Sequence, residues 1–168
     1  ENNEVYNPES GQLHFNFAVA DLAGTVAPLA RKAAIEAEAS DELSSEDWFD
    51  LGVDLEAVSP QDAPAAYLHA LALDPEHSDA HVNLGRLCQE SGEYDAAESH
   101  YEAALTLEPD NILAAFNLGT LLEDLGRLQD AITAYKKAGA FADAHYNLSR
   151  LYELVGEHQE ALKHLKTY

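Results

Sequence analysis

The sequence repeats itself every 34 residues, and no other feature constrains the fold as strongly. The dipeptide Leu84-Gly85 returns 34 residues later as Leu118-Gly119. Five further positions keep their residue type between the two copies: Asn83 and Asn117, Gly92 and Gly126, Ala97 and Ala131, Tyr101 and Tyr135, Ala104 and Ala138. A fixed period of this length, with small residues at set positions, is typical of stacked helix–turn–helix units.

Each copy predicts two short helices joined by a tight turn. In residues 78–111, Leu84 and Leu87 lie on one helical face. Gly92 then allows a turn that a Cβ atom would obstruct. A second apolar stripe follows and ends before Pro109. Neither helix can bury its apolar face within one copy, so stability requires stacked neighbours.

These repeated residues resemble the tetratricopeptide repeat (TPR) family, in which Leu-Gly in a first helix is followed by Gly, Ala, Tyr and Ala. The resemblance covers residues 45–168. It implies an all-α fold, a right-handed superhelical solenoid of about four repeats. The expected bounds of these repeats are 45–77, 78–111, 112–141 and 142–168.

The first and last repeats depart from the pattern. The first contains Leu51-Gly52, and its helix is predicted to start where Ser44 and Asp47 stand at capping-box spacing. The last contains Leu148 only 30 residues after Leu118, without the usual Leu-x-x-Pro ending between them. The second helix of the third repeat, or its exit loop, must therefore be shortened.

Residues 1–44 lie outside the repeats and are predicted to form an extension or connector. Residues 1–8 are polar and are expected to fray, and an Ala-rich helix is expected at about 19–39. Residues 12–17 predict a short strand, because apolar Leu13, Phe15 and Phe17 alternate with polar residues. A lone strand is unstable, so this one must dock on the repeats, pair with another chain, or belong with sequence outside this chain.

The charge of the chain limits its partners. The sequence has 31 acidic and 9 basic residues, a formal net charge of −22. Such a surface repels phosphate backbones and anionic lipid heads, so we expect no direct binding to nucleic acid or membranes. It favours a basic partner, although solubility alone also explains the charge. No membrane span or secretory signal is recognisable, which predicts a cytoplasmic protein. The absence of any Met suggests a processed chain or a piece of a longer one.

The TPR resemblance implies a ligand groove along the first helices, which in this family bind an extended or helical peptide. Asn83, Asn117 and Asn147 each precede the repeated Leu. A primary amide can donate to and accept from a peptide backbone. The three residues are similar to the Asn ladder of the peptide-binding repeats of O-GlcNAc transferase. The alternative is that these Asn residues are common in the repeat and merely solvated.

Further groove positions follow from the same resemblance. The expected apolar contacts are Val82, Phe116 and Tyr146, and the expected polar ones are Arg86, Arg150, Gln89 and Glu123. TPR proteins that bind chaperones clamp a terminal carboxylate with lysines on this wall. Because Asp79, Val82 and Phe116 stand where basic residues would be needed, we exclude that subfamily.

Catalytic and metal-binding motifs are missing from the sequence. Eight histidines invite a metal site, but no HExxH, CxxC or paired-Cys spacing occurs. We also find no Gly-rich phosphate loop, no GxSxG elbow and no Cys–His nucleophile. The sequence therefore predicts a protein that is not an enzyme and that binds no metal or cofactor.

Two alternatives to peptide binding remain open. The chain is similar to bacterial proteins in which TPR repeats follow a MerR-like DNA-binding domain; the similarity rests on residues 10–17, 47–49, 74–87, 114–119 and 143–148. The chain would then be the sensor or oligomerisation part of a transcription regulator. Otherwise it would be an assembly scaffold that uses its end faces. The expected homodimer contacts are Leu13, Phe15, Phe17, Leu162 and Leu165.

Overall fold

A computed structural model describes residues 4–6, 13–15, 43–139 and 141–168. The chain divides into two compact units, Glu1–Ala66 and Tyr67–Tyr168. The division falls 22 residues after position 44, where composition places the end of the extension. Helical residues lie on both sides of this division, so it does not separate the extension from the repeats. The predicted boundary at residues 44 and 45 therefore stays a prediction.

Two short strands lie in the first unit. Strand β1 (Glu4–Tyr6) pairs antiparallel with β2 (Leu13–Phe15), in the register Glu4 to Phe15, Val5 to His14 and Tyr6 to Leu13. The expectation that residues 1–8 fray is therefore corrected at β1, since these residues supply the missing partner of β2. Pairing satisfies backbone groups that a lone strand would leave open. Phe17 and the Ala-rich helix predicted at 19–39 lie outside the described residues.

The rest of the described chain is helical and confirms the predicted class of helical-repeat fold. The helices are α1 (Ser45–Val58), α2 (Ala63–Leu73), α3 (Ser78–Glu90), α4 (Tyr94–Leu107), α5 (Ile112–Asp124), α6 (Leu128–Lys137), α7 (Ala142–Leu154) and α8 (His158–Leu165). We number the helix pairs α1–α2 to α7–α8 as repeats 1 to 4. The odd-numbered helices are the first helices of their repeats.

Helix α1 begins at the capping box that the sequence predicts. The Ser44 hydroxyl accepts a hydrogen bond from the backbone N–H of Asp47 at 3.2 Å. In return the Asp47 carboxylate accepts from the backbone N–H of Ser44 at 2.9 Å. The two bonds satisfy N–H groups that the first turn of a helix leaves without backbone partners.

Glycines end the first helices of repeats 2 to 4, as the sequence predicts for Gly92 and its counterpart Gly126. Gly92, Gly126 and Gly156 have φ values of 79°, 73° and 82°, a left-handed conformation that residues with a Cβ atom rarely adopt. The N–H of the residue after each glycine then bonds the carbonyl of the residue five positions earlier, in each case at 2.8 Å. This is the closing bond of a Schellman motif, and it sets the same turn in all three repeats.

A tyrosine packs against a glycine in repeats 2 and 3. A Cβ atom added to Gly85 would lie 2.8 Å from Cε1 of Tyr101, and one added to Gly119 would lie 2.6 Å from Cδ1 of Tyr135. Both tyrosines are fully buried. Only glycine therefore allows the two helices of each pair to approach so closely. Repeat 4 carries Ser149 in place of the glycine and a leucine in place of the tyrosine.

The shortening of repeat 3 falls in its second helix. Helix α6 has 10 residues, whereas α4 has 14. The buried cluster that joins repeats 3 and 4 includes Leu122, Tyr135, Leu148 and Leu151. The apolar core therefore continues across the shortened junction.

Candidate ligand-binding face of the first helices

The first helices of repeats 2, 3 and 4 lie side by side. The side-chain amide of Gln89 on α3 donates to the Asp124 carboxylate on α5 at 3.3 Å. The Arg150 guanidinium on α7 forms an ion pair with the Glu123 carboxylate on α5. We define the first-helix face as the exposed side of α3, α5 and α7 that these two links cross. The structure thus brings together predicted site residues from three repeats.

Two of the three predicted ligand-binding asparagines have partners inside the protein. The Asn83 amide donates to the Tyr67 hydroxyl at 3.1 Å. The Asn147 side chain interacts with the Tyr135 hydroxyl. In both cases the tyrosine lies on the second helix of the preceding repeat. These amides therefore hold neighbouring repeats together, a role that the spacing of the Asn residues alone does not reveal.

The same row of tyrosines fixes two other predicted site residues. The Tyr101 hydroxyl donates to Oε1 of Gln89 at 3.0 Å, and the Tyr135 hydroxyl donates to Oε2 of Glu123 at 3.4 Å. Burial is the main cause that raises the pKa of both tyrosines. The hydroxyls therefore keep their protons at neutral pH and act as permanent donors, which hold Gln89 and Glu123 in place.

The predicted apolar contacts differ in exposure. Val82 is only 5% exposed and packs with Ala104 and Ala114, so its side chain belongs to the core, a correction to the expected groove contact. The small alanines on the neighbouring helices leave the space that valine fills. Phe116 is half-buried, and its ring lies edge-on to that of Phe141 with centroids 4.9 Å apart.

Tyr146 is the predicted apolar contact that remains accessible. It is 48% exposed, and the centroid of its ring lies 5.4 Å from the centroid of the Tyr168 ring. Helical spacing places Tyr146 on the same side of α7 as Arg150. An aromatic ring next to a charged group in this position offers both apolar area and a hydrogen-bonding group to a ligand.

Two exposed leucines on this face were missed by sequence reasoning. Leu113 shares one side of α5 with Asn117 and Asp124, and Leu154 shares one side of α7 with Tyr146. Both leucines are exposed. A signal exists in the sequence, because each leucine stands where two other repeats carry an acidic residue. The equivalent positions are Asp79 and Asp143 for Leu113, and Glu90 and Asp124 for Leu154.

The two predicted arginines are held by carboxylates. Arg86 contacts Glu90 one turn away on α3, with Nη1 and Oε1 2.6 Å apart. The hydrogen bond that Arg150 donates to the Glu123 carboxylate is the main cause that raises the pKa of Arg150. Neither arginine therefore presents an isolated positive charge, and the acidic residues of the first-helix face dominate its electrostatics.

The predicted oligomer contacts Leu162 and Leu165 come together near the end of the chain. Both are exposed on α8, and with Ala161 and Leu154 they line an open groove of about 630 Å³. The groove adjoins the first-helix face through Arg150 and Leu154. Leu13 and Phe15 of strand β2 belong to the other compact unit.

Among the residues that the structure describes, no three His, Cys, Asp or Glu side chains are grouped so that they could hold a metal ion. None of the helices described is both long enough and apolar enough to cross a membrane. The predicted absence of catalysis is not tested by either observation.

Comparison with known proteins supports the repeat interpretation. Two family models described as tetratricopeptide repeat match residues 66–99 and 89–142. No curated protein matches the sequence. None of these matches bears on the predicted kinship with MerR-like regulators.

Solved structures of MamA have a similar fold. One crystal structure is 25% identical, with a TM-score of 0.73, and the match covers 82% of each chain. A second is 25% identical with a TM-score of 0.72, covering 88% of this chain and 85% of that one. MamA from Desulfovibrio magneticus RS-1, from residue 41 to its end, is 20% identical with a TM-score of 0.66; this match covers 89% of this chain and 94% of that chain, and it shows the fold alone. The chain therefore has a helical-repeat fold, and its residues 66–142 are similar to tetratricopeptide repeats.

Proposed function

We propose that this chain is a non-catalytic protein-interaction module that binds a peptide or protein segment on the first-helix face. The main support for this proposal is apolar surface that is exposed on the first-helix face. Leu113, Tyr146 and Leu154 expose apolar surface on a face whose neighbouring polar groups are fixed by bonds inside the protein. Exposed apolar side chains surrounded by polar groups are typical of interaction sites.

The fixed polar groups favour binding because they are ordered before a ligand arrives. Gln89 is held by Tyr101 and Asp124, and Glu123 is held by Tyr135 and Arg150. A side chain that is immobilised on binding loses conformational entropy, roughly 0.5–1.5 kcal/mol for each flexible one. Side chains that are already held lose less, so this face needs little reorganisation.

The charge of the chain favours a basic partner. The formal net charge is −22, and Asp79, Asp124 and Asp143 are exposed on or beside the face. A negative surface steers positive segments toward it and increases the rate of association at low ionic strength. We therefore expect a ligand that pairs apolar side chains with Lys or Arg, and binding that weakens as salt rises.

The test compares two double variants of matched composition. Leu113→Ala with Tyr146→Ala removes the apolar anchors of the first-helix face, whereas Leu68→Ala with Tyr94→Ala removes similarly exposed residues from second helices. Proteins captured from a lysate of the source cells are quantified by mass spectrometry. We expect the first variant to capture at least about 10-fold less of one protein, because the loss of two apolar anchors weakens binding by this much or more. The second variant should capture the same amount of that protein as the wild type.

Equal capture by both double variants would contradict the proposal. Asn→Ala variants are poor probes, since Asn83 and Asn147 also hold tyrosines of the preceding repeat. Each variant must match the wild type in helical circular dichroism and melting temperature before capture is compared.

A second candidate function is assembly through the end groove, favoured by the exposure of Leu162 and Leu165 on α8. A homodimer through these residues would be lost in Leu162→Glu with Leu165→Glu, as measured by sedimentation velocity. The role as part of a transcription regulator stays a prediction.

A further inference from the structure

Two pairs of histidines join the helices of repeats 2 and 4 in the same way. Nδ1 of His81 on α3 lies 3.0 Å from Nδ1 of His100 on α4. Nδ1 of His145 on α7 lies 2.8 Å from Nδ1 of His164 on α8. The ring centroids are 5.2 and 5.1 Å apart, and each pair is separated by 19 residues. We call these the two histidine clasps, since each links the first and second helix of one repeat.

Repeat 3 provides a natural comparison. Ala115 and Ala134 occupy the positions of the two histidines, and both are buried. In repeats 2 to 4, these two positions therefore carry either two histidines or two alanines, and none of the three repeats pairs a histidine with an alanine.

The hydrogen bonds fix the protonation of the first clasp. Nε2 of His81 lies 3.2 Å from the carbonyl oxygen of Pro75, which can only accept, so Nε2 carries the proton. A neutral imidazole has one N–H, and Nδ1 of His81 must therefore accept from the Nδ1–H of His100. One added proton, on Nε2 of His100, leaves this bond intact. A second, on Nδ1 of His81, removes the acceptor and sets two N–H groups and two positive charges against each other.

The surroundings of both clasps oppose protonation. Burial, and then His81, lower the pKa of His100 below its ordinary value. Burial is also the first cause that lowers the pKa of His164, followed by His145 and Lys163, while Lys136 of α6 acts in the same sense and Glu160 opposes them. The ring of Tyr152 on α7 stacks on that of His164, with centroids 5.5 Å apart.

A metal site explains the pairs less well. Zinc sites in proteins use three or four protein ligands. Among the described residues no group of three suitable side chains occurs, so each clasp offers only two nitrogens. A hydrogen bond between neutral rings accounts for the short Nδ1 distances without a metal.

We propose that the histidine clasps make repeats 2 and 4 sensitive to acid, so that they hold their helix pairs closed at neutral pH and release them when both rings of a pair are protonated. The direction of the pH effect follows from the difference between the histidine pKa values of the unfolded and the folded chain. In the unfolded chain histidine titrates near 6.5, and in the folded protein burial and the partner ring lower the pKa of His100 and His164. The stabilisation is therefore complete above about pH 6.5 and is lost as pH falls through that value toward the folded pKa.

The first test measures thermal unfolding at pH 7.5 and pH 5.5 in buffer with EDTA. The variant carries His81→Ala, His100→Ala, His145→Ala and His164→Ala, which copies the alanine pair of repeat 3. We expect the acid-induced drop in melting temperature to be about 5 °C smaller in the variant than in the wild type. His158→Ala is the control, because His158 is an exposed histidine outside the clasps, and it should keep the wild-type drop. Equal drops in all three proteins would overturn the proposal.

The second test needs no variant and applies even if the four substitutions prevent folding. Nuclear magnetic resonance of the imidazole nitrogens reports the tautomer and the titration of each histidine in the wild type. We expect His100 and His164 to titrate below the ordinary histidine value of about 6.5, and His81 to carry its proton on Nε2. Titration of both at or above that value, or a proton on Nδ1 of His81, would refute the clasp.

Discussion

The junction between repeats 2 and 3 is built differently from the junction between repeats 3 and 4. In the first, Asn111 precedes α5, and its side-chain oxygen accepts from the backbone N–H of Ala114 at 2.9 Å. In the second, Phe141 precedes α7 and makes no such bond, but its ring packs edge-on against Phe116. A polar cap at one junction is thus replaced by an aromatic contact at the other.

The difference between the two junctions shows that a repeat can be one helical turn shorter without a change in the register of the stack. Helix α6 is four residues shorter than α4, close to the 3.6 residues of one turn. Removing a whole turn leaves the next repeat facing almost the same way. Tyr67 and Asn83 are 16 residues apart, and Tyr135 and Asn147 are 12 apart, yet in both pairs the asparagine amide interacts with the tyrosine hydroxyl. The aromatic contact then fills the space at the shortened junction.

The largest effect is expected from Phe141→Ala. The substitution removes the ring that packs on Phe116 and leaves a cavity beside the core of repeats 3 and 4. We expect the free energy of unfolding to fall by about 3 kcal/mol, the low end for a buried Phe because Phe141 is only half-buried. Denaturant titration measures this. A loss below about 1 kcal/mol would mean that the junction does not depend on aromatic packing.

An intermediate effect is expected from Gly119→Ala in the shortened repeat. The new methyl group would lie 2.6 Å from Cδ1 of Tyr135, so one helix must shift, at a loss of about 2 kcal/mol. Repeat 4 has Ser149 and Leu165 at these positions. In a Tyr135→Leu background the same substitution should therefore cost less, and a double-mutant cycle measures the difference. Strict additivity would contradict the proposed contact.

The smallest effect is expected from Asn111→Ala at the polar junction. The loss of one cap bond to Ala114 should lower the free energy of unfolding by about 1 kcal/mol. Asn111→Ser is the matched control, because its hydroxyl can still accept from the helix, and it should remain close to the wild type. If both variants lose the same stability, the cap bond is not the cause, and the bond from Asn111 to Ser78 becomes the better explanation.

Most of the fold was predictable from the sequence, whereas less of the candidate site was. The capping box of α1 and the glycine turns were predictable, since each depends on residues close together in the chain. Val82 was misplaced because burial depends on the small size of Ala104 and Ala114 on other helices. Leu113 and Leu154 were missed because the repeat pattern predicts acidic residues at their positions.

The sequence by itself determined the period, the helical class and the places where the first helices turn. These follow from apolar spacing and from glycine, which act within a few residues. Only the tertiary structure decided which side chains meet across helices: asparagine with tyrosine, glutamate with arginine, and histidine with histidine. Such pairs depend on how closely two helices approach, and that distance is set by the packing of many residues together rather than by any one spacing.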